Sequence, residues 1–261
     1  MQLDLYQIDA FTDRLFGGNP AAVCPLENWL PTATLQAIAL ENNLSETAFI
    51  VQEPAGWRIR WFTPVTEVEL CGHATLASAW LYFHHLQPEA QQVVFDSLSG
   101  PLGVNRDDER LYLDFPLRRA EPVIVPGLLA AALGVDPVEV LGADDWLVRL
   151  DSEATLRDLS PDMGLLRKLE RRGVIVTAPG SDCDFVSRFF APKYGIDEDP
   201  VTGSAHTTLT PYWAEKSGKP RLHARQLSAR GGELFCELRG ERVGIGGCAV
   251  PYLKGVITLE T

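Results

Sequence analysis

Apolar and polar positions alternate from Leu3 to Ala10, and a short apolar run follows from Ala21 to Cys24. Both patterns predict strands. The segment between them, Phe16-Gly17-Gly18-Asn19-Pro20, predicts a turn, because glycine tolerates positive φ and proline excludes helix. From Pro31 to Asn43, Leu35, Ile38, Ala39 and Leu40 recur at helical spacing, with Thr32 or Thr34 available to cap the start. Ser45-Glu46-Thr47 then leads directly into the apolar run Ala48 to Val51, which places Glu46 at a helix-to-strand junction. Trp57 to Phe62 is its expected antiparallel partner. Gly72 to Leu86 carries Leu76, Trp80 and Phe83 on one side with Ala77 beside them, the stripe of a helix buried against a sheet. Strands are expected at 93–96, 103–105 and 111–115.

Much of this pattern occurs twice. Arg60 to Trp80 runs from an aromatic strand (Trp61, Phe62) through Pro64 to Gly72 and a helix ending in Trp. Arg188 to Trp213 does the same through Phe189, Phe190, Pro192 and Gly203, with a longer linker. Downstream, Ser99-Gly100-Pro101-Leu102 is answered by Gly231-Gly232-Glu233-Leu234. A repeat spanning about half the chain implies two similar domains. We place them at 1–117 and 118–251, with the last strand, 252–261, expected to return to the first. In the second half, helices are expected at 128–133, 165–171 and 202–217, the last limited or kinked by Pro211. Strands are expected at 173–178, 185–190, 233–238 and 242–248.

With 46% hydrophobic and 22% charged residues, the 261-residue chain has the composition of a folded globular protein. The net charge of −12 opposes a nucleic-acid role, since phosphate backbones demand a basic surface. The N-terminus has no signal-peptide pattern, and its most apolar region, 123–135, is too short to cross a membrane and is broken by Pro126 and Gly127. The five cysteines, Cys24, Cys71, Cys183, Cys236 and Cys248, are odd in number and follow no metal-ligand spacing. These features lead us to expect reduced thiols, a cytoplasmic location, no metal and no membrane partner.

Candidate chemistry lies at the two glycine-opened helices. A helix N-terminus offers unpaired N–H groups and partial positive charge, and glycine lets a ligand approach that backbone. One such glycine is explained by a tight turn alone; a matched pair, Gly72 and Gly203, favours a carboxylate site in which both helix starts face one cleft. Glu46, His73, Asp199 and Ser204 are expected beside these turns, and two carboxylates with an imidazole suit proton transfer between carbon atoms. Taken singly, each has a bland alternative: a solvated acid, a satisfied core imidazole, a turn aspartate before Pro200, a helix-start hydroxyl.

The segments DAFTDRLFGGNPAAV, NNLSETAFI, IRWFTP, ELCGHATLA, FFAP and DEDPVTGSAH, in this order, resemble the PhzF-like family, named for the phenazine-biosynthesis isomerase. The resemblance implies an α/β (α+β) diaminopimelate epimerase-like fold. That fold has two topologically similar domains, each a curved sheet around a central helix, with the active site between them. It also implies that Glu46 is the catalytic acid/base, that His73 and Asp199 complete the catalytic set, and that Ser45, Gly72, Gly203 and Ser204 contact substrate. No metal or organic cofactor is implied. The implied partners are a small, cyclic carboxylate substrate and a second copy of the chain in a homodimer.

Two alternatives stay open at this level. Epimerases and racemases of the same fold use two cysteines, each just before the glycine of a helix start. Cys71 fills one position, but Thr202 fills the other, and its hydroxyl is far too weak an acid to replace a thiol. Cys71 is then either a reactive group or a packing thiol. The other alternative is a non-catalytic binding or interaction module, which has no need of a base.

Overall fold

In the computed structural model, which describes residues 1–259, the alternating N-terminal segment forms strand β1 (Gln2–Ala10). It pairs antiparallel with β2 (Asn19–Leu26). At the turn between them Gly18 has φ of 61°, and a Cβ there would lie 2.1 Å from the Ala10 carbonyl oxygen, so only glycine fits. Helix α1 (Thr32–Asn42) follows, with Leu35, Ile38 and Ala39 buried. It is capped by neither threonine: Pro31 is the N-cap, without a side-chain bond, because Thr32 and Thr34 already lie inside the helix. Thr32 instead accepts a hydrogen bond from Arg60. The helix ends at Asn43, in the left-handed conformation, whose N–H caps the Ala39 carbonyl.

Strand β3 (Glu46–Glu53) begins at the glutamate. It runs parallel to β2 and antiparallel to β4 (Gly56–Phe62), which also pairs with the two-residue β5 (Glu67–Val68). Helix α2 (Gly72–Leu81) comes next and passes into a π-helical turn at Tyr82–Leu86. Every α2 residue except Trp80 is buried, and the helix packs on β1, β2 and β3, so the sheet covers it on most sides. Strands β6 (Gln92–Asp96), β7 (Leu102–Asp107) and β8 (Arg110–Pro116) form an antiparallel run joined to β4 through a parallel β4–β6 pairing.

The second half holds β9 (Glu121–Pro122), α3 (Gly127–Leu133), β10 (Glu139–Gly142), β11 (Trp146–Arg149) and the short helices α4 (Glu153–Arg157) and α5 (Met163–Leu166). There follow β12 (Val174–Pro179), β13 (Phe185–Ala191), β14 (Ile196–Asp199), α6 (Gly203–Ser217), β15 (Arg221–Gln226), β16 (Gly232–Arg239) and β17 (Arg242–Gly247). The final strand, β18 (Ala249–Thr258), pairs antiparallel with β1; Glu260 and Thr261 of the expected strand 252–261 lie outside the described residues. Two compact units result: Met1–Phe115 with Gly246–Thr261, and Pro116–Ile245. Each has an outer hydrophobic cluster between sheet and flanking helices. Leu35, Ile38, Phe49 and Phe62 contribute to it in the first unit; Leu129, Leu156, Leu166, Val176 and Phe190 do so in the second. Each fully buried Leu, Ile or Phe contributes about 1.5–3 kcal/mol.

Two expectations about helices need correction. The helix expected at 165–171 is only the single turn of α5, capped by Asp162. Its would-be continuation is drawn off by Arg167, Arg171 and Arg172, which bind the Pro192 carbonyl, the Ala143 carbonyl and Asp145. Conversely, Pro211 does not end α6, which runs fifteen residues through it. Proline leaves the carbonyl four residues back without its helical donor. Here that carbonyl, of Thr207, accepts from the Arg118 N–H at 3.0 Å. Among the described residues no helix is long and apolar enough to cross a membrane.

Candidate active site

In the first unit, the turn out of α1 delivers Ser45 and Glu46 to the start of β3, while β5 leads into Cys71, the N-cap of α2. Cys71 is extended (φ −145°, ψ 107°) and uses no side-chain bond to cap the helix. The N–H groups of the first turn, at Gly72, His73 and Ala74, therefore stay available as donors at the helix N-terminus. Thr75 hydroxyl binds the Cys71 carbonyl at 2.5 Å and holds the turn closed.

Glu46, Cys71 and His73 converge. Oε2 of Glu46 lies 3.2 Å from Nε2 of His73, and Sγ of Cys71 lies 3.5 Å from the other ring nitrogen, Nδ1. His73 is only 5% exposed, and burial pushes its pKa down to about 3. The imidazole is therefore neutral near pH 7, and its contact with the carboxyl group is not an ion pair. The contact is close but off the straight line of a strong hydrogen bond. These residues also offer one metal-donor atom each within 4.8 Å of one another, a set suited to a soft divalent ion although their sequence spacing follows no ligand motif.

In the second unit the equivalent turn is built on a threonine, an aspartate and a glutamine. Thr202, N-cap of α6, is extended (φ −113°, ψ 95°) and donates its hydroxyl proton to Asp199 at 2.5 Å. Gln226 of β15 clamps the same turn. Its amide nitrogen donates to the Asp199 carbonyl (2.8 Å) and Thr202 Oγ1 (3.0 Å), and its amide oxygen accepts from the Thr202 N–H (2.9 Å). Ser204 accepts from Arg172 at 3.1 Å, whose guanidinium also forms a two-pronged pair with Asp145. Partial burial would lower the Arg172 pKa, but the bonds to and charge of Asp145, with the charges of Asp144 and Asp199, raise it. Behind Thr202, His206 donates its Nδ1–H to the Thr202 carbonyl, 2.8 Å away. The sequence pattern gave no sign of Arg172 or Gln226. Gln226 carries no motif, and Arg172 is one of two adjacent arginines that composition alone does not separate.

Glu46, His73 and Gly72 are thus brought together in the first unit, with Ser45 next in the chain. Asp199, Gly203 and Ser204 are brought together in the second. A family model described as "Phenazine biosynthesis-like protein" matches residues 8–255. The chain belongs to this family. It is 53% identical to an uncharacterized isomerase of Pseudomonas aeruginosa, over 99% of this chain and 100% of that protein. It is 42% identical to a human phenazine biosynthesis-like domain-containing protein, again over 99% and 100%. Among solved structures, a PhzF-family protein of Enterococcus faecalis superposes with a TM-score of 0.97 at 47% identity, covering 99% of this chain and all of that one. The fold extends to a hydroxyproline epimerase of Agrobacterium vitis (TM-score 0.63, 9% identity, 100% and 93% covered), which establishes the diaminopimelate epimerase-like architecture alone. This PhzF-like chain is therefore an enzyme of the isomerase class.

Proposed function

We propose that this PhzF-like protein is a cofactor-independent isomerase that moves a proton between carbon atoms of a small, cyclic, carboxylate-bearing substrate. The observation that carries the reading is the carboxyl group of Glu46 set 3.2 Å from a neutral, buried His73 at the first turn of α2. A carboxyl group set against a neutral imidazole at a helix start is placed to exchange protons with a bound substrate. In the proposed reaction Glu46 removes a proton from one substrate carbon, leaving the electron pair conjugated with a carbonyl or ring double bond. The protonated Glu46, whose proton exchanges with solvent between the two steps, delivers a proton to another carbon, and the double bond shifts accordingly. His73 and Asp199 orient and pass protons, while the amides at Gly72 and Gly203, with Ser45 and Ser204, hold the carboxylate.

The two-thiol epimerase reading is disfavoured by Thr202, whose hydroxyl is committed to Asp199 and Gln226 in place of a second thiol. A cytoplasmic homodimer is the expected working form, checked by light scattering. The deciding experiment is solvent-deuterium incorporation into a panel of cyclic amino and hydroxy acids, wild type against Glu46→Gln. Labelling that depends on Glu46, with net conversion to a positional isomer, supports the reading. Tight binding without exchange would make the protein a binding module instead, and exchange that survives in Glu46→Gln would remove Glu46 from its role.

A further inference from the structure

The mechanism above leaves Cys71 without a part, although its sulfur lies against the imidazole that faces the base. We infer that Cys71 is a positioning residue: its thiol hydrogen bonds to Nδ1 of His73 and thereby holds the imidazole in the tautomer that carries its proton on Nε2, facing Glu46. This inference rests on the proposed role of Glu46, but its direct test does not require turnover.

A neutral imidazole has one N–H and one bare nitrogen, and its two neighbours decide which is which. On one side stands Oε2 of Glu46, 3.2 Å from Nε2; on the other stands Sγ of Cys71, 3.5 Å from Nδ1. With the proton on Nδ1, the lone pair of Nε2 would face the negatively charged carboxylate oxygen. With the proton on Nε2, the ring presents its positive N–H edge to that oxygen, and the bare Nδ1 is met by the S–H. The second arrangement sets complementary charge at both edges of a ring that is only 5% exposed and has little water to repair a mismatch, with a hydrogen bond at Nδ1 and a close but unaligned contact at Nε2. It also requires Cys71, itself 6% exposed, to stay a neutral thiol. A thiolate would draw the proton to Nδ1 and turn the Nε2 lone pair against Glu46. The residue that would serve as an acid/base in a two-thiol epimerase is here a donor that sets the orientation of a histidine.

The tautomer is read by two-bond proton–nitrogen correlation spectra of protein labelled in its five histidines, with His73 assigned by its loss in His73→Asn. The wild type is expected to show His73 protonated at Nε2 only. Cys71→Ala is expected to shift it to a mixture of tautomers or to the Nδ1-protonated form, and Cys71→Ser, which keeps a donor, to restore the wild-type pattern. In the exchange assay, losing one hydrogen bond of this kind should lower kcat of Cys71→Ala about five- to tenfold with KM little changed, and serine should recover most of the loss. A wild-type His73 protonated at Nδ1, or an unchanged tautomer in Cys71→Ala, would overturn the inference. Neither result needs a substrate, and the first is read from the wild-type protein even if Cys71→Ala folds poorly. Absence of exchange activity with the expected spectra would instead count against the proposed reaction and leave the tautomer assignment standing.

Discussion

The two units are built on one plan, and their differences lie at a few side chains. In the first, β1/β2 pair antiparallel, β2/β3 parallel, β3/β4 and β4/β5 antiparallel, β4/β6 parallel and β6/β7 antiparallel. In the second, β10/β11, β11/β12, β12/β13, β13/β14, β13/β15 and β15/β16 repeat these senses in the same order. A polar brace repeats too. Arg60 grips Glu67 with two bonds of 2.7 Å and lies 5.0 Å from the Phe62 ring centroid. Arg188 grips Glu198 with bonds of 2.7 and 2.9 Å and lies 5.0 Å from that of Phe190. What changed is the chemistry at the helix start: Cys71-Gly72-His73 against Thr202-Gly203-Ser204, and Glu46 at the head of β3 against a glycine at the matching position. By strand register Thr47 pairs with Phe62 and Val174 with Phe190, so the position matching Glu46 is Gly173. A Cβ at Gly173 would lie 2.6 Å from the Phe189 ring and 2.9 Å from the Phe190 carbonyl oxygen. The second unit therefore has no room for a side chain where the first keeps Glu46, while the brace occurs in both.

The largest test of this asymmetry is the pair Glu46→Gln and Asp199→Asn. The first should lower exchange at least about a thousandfold and the second about tenfold, if only the first unit carries the base. Equal losses in exchange rate would erase the distinction. Next is the brace. Arg188 also donates to the carbonyls of Leu156 and Leu159, whereas among the described residues Arg60 donates beyond its glutamate to the Thr32 hydroxyl alone. Arg188→Ala should therefore cost about 3 kcal/mol in denaturant unfolding and Arg60→Ala about 2, since more acceptors are left unmet. Gly173→Ala should cost about 1–3 kcal/mol through overpacking; a neutral result would show that the second unit could have housed a side chain there.

The smallest effect concerns the buried histidines, one in each unit. Burial pushes His73 down to about 3, and burial, partly opposed by the Thr202 carbonyl, pushes His206 down to about 4. Both are neutral above the ordinary value of about 6.5 in folded and unfolded chains alike, so they add no pH dependence there. Below it the unfolded chain takes up protons that the folded chain refuses, and stability falls until pH reaches the depressed values. Melting temperature should thus decline between about pH 6.5 and 4.5, before the carboxylates protonate, and His206→Gln should flatten the slope. A wild-type slope of zero in that window would refute the burial account.

Most strands and helices of the first half, the helix opening at Gly72 and the placement of Glu46 at the head of β3 were legible in the sequence, because periodicity, turn residues and local propensity act over a few neighbours, whereas β10, β11, β14 and β15 of the second half were missed. The extent of α5, the relief of Pro211 within α6 and the capping of α1 were not. Each is decided by a partner distant in the chain: the acceptors that draw off Arg167, Arg171 and Arg172, the Arg118 amide beneath Thr207, and Arg60 at Thr32. The same holds for the chemistry. Sequence by itself supplied a glutamate, a cysteine and a histidine of ordinary kinds. Only the tertiary structure removed water from the histidine, set a carboxyl against one of its nitrogens and a thiol against the other, and so decided which proton sits where. Burial and hydrogen-bond direction are properties of the packed whole, and no single segment of the chain contains them.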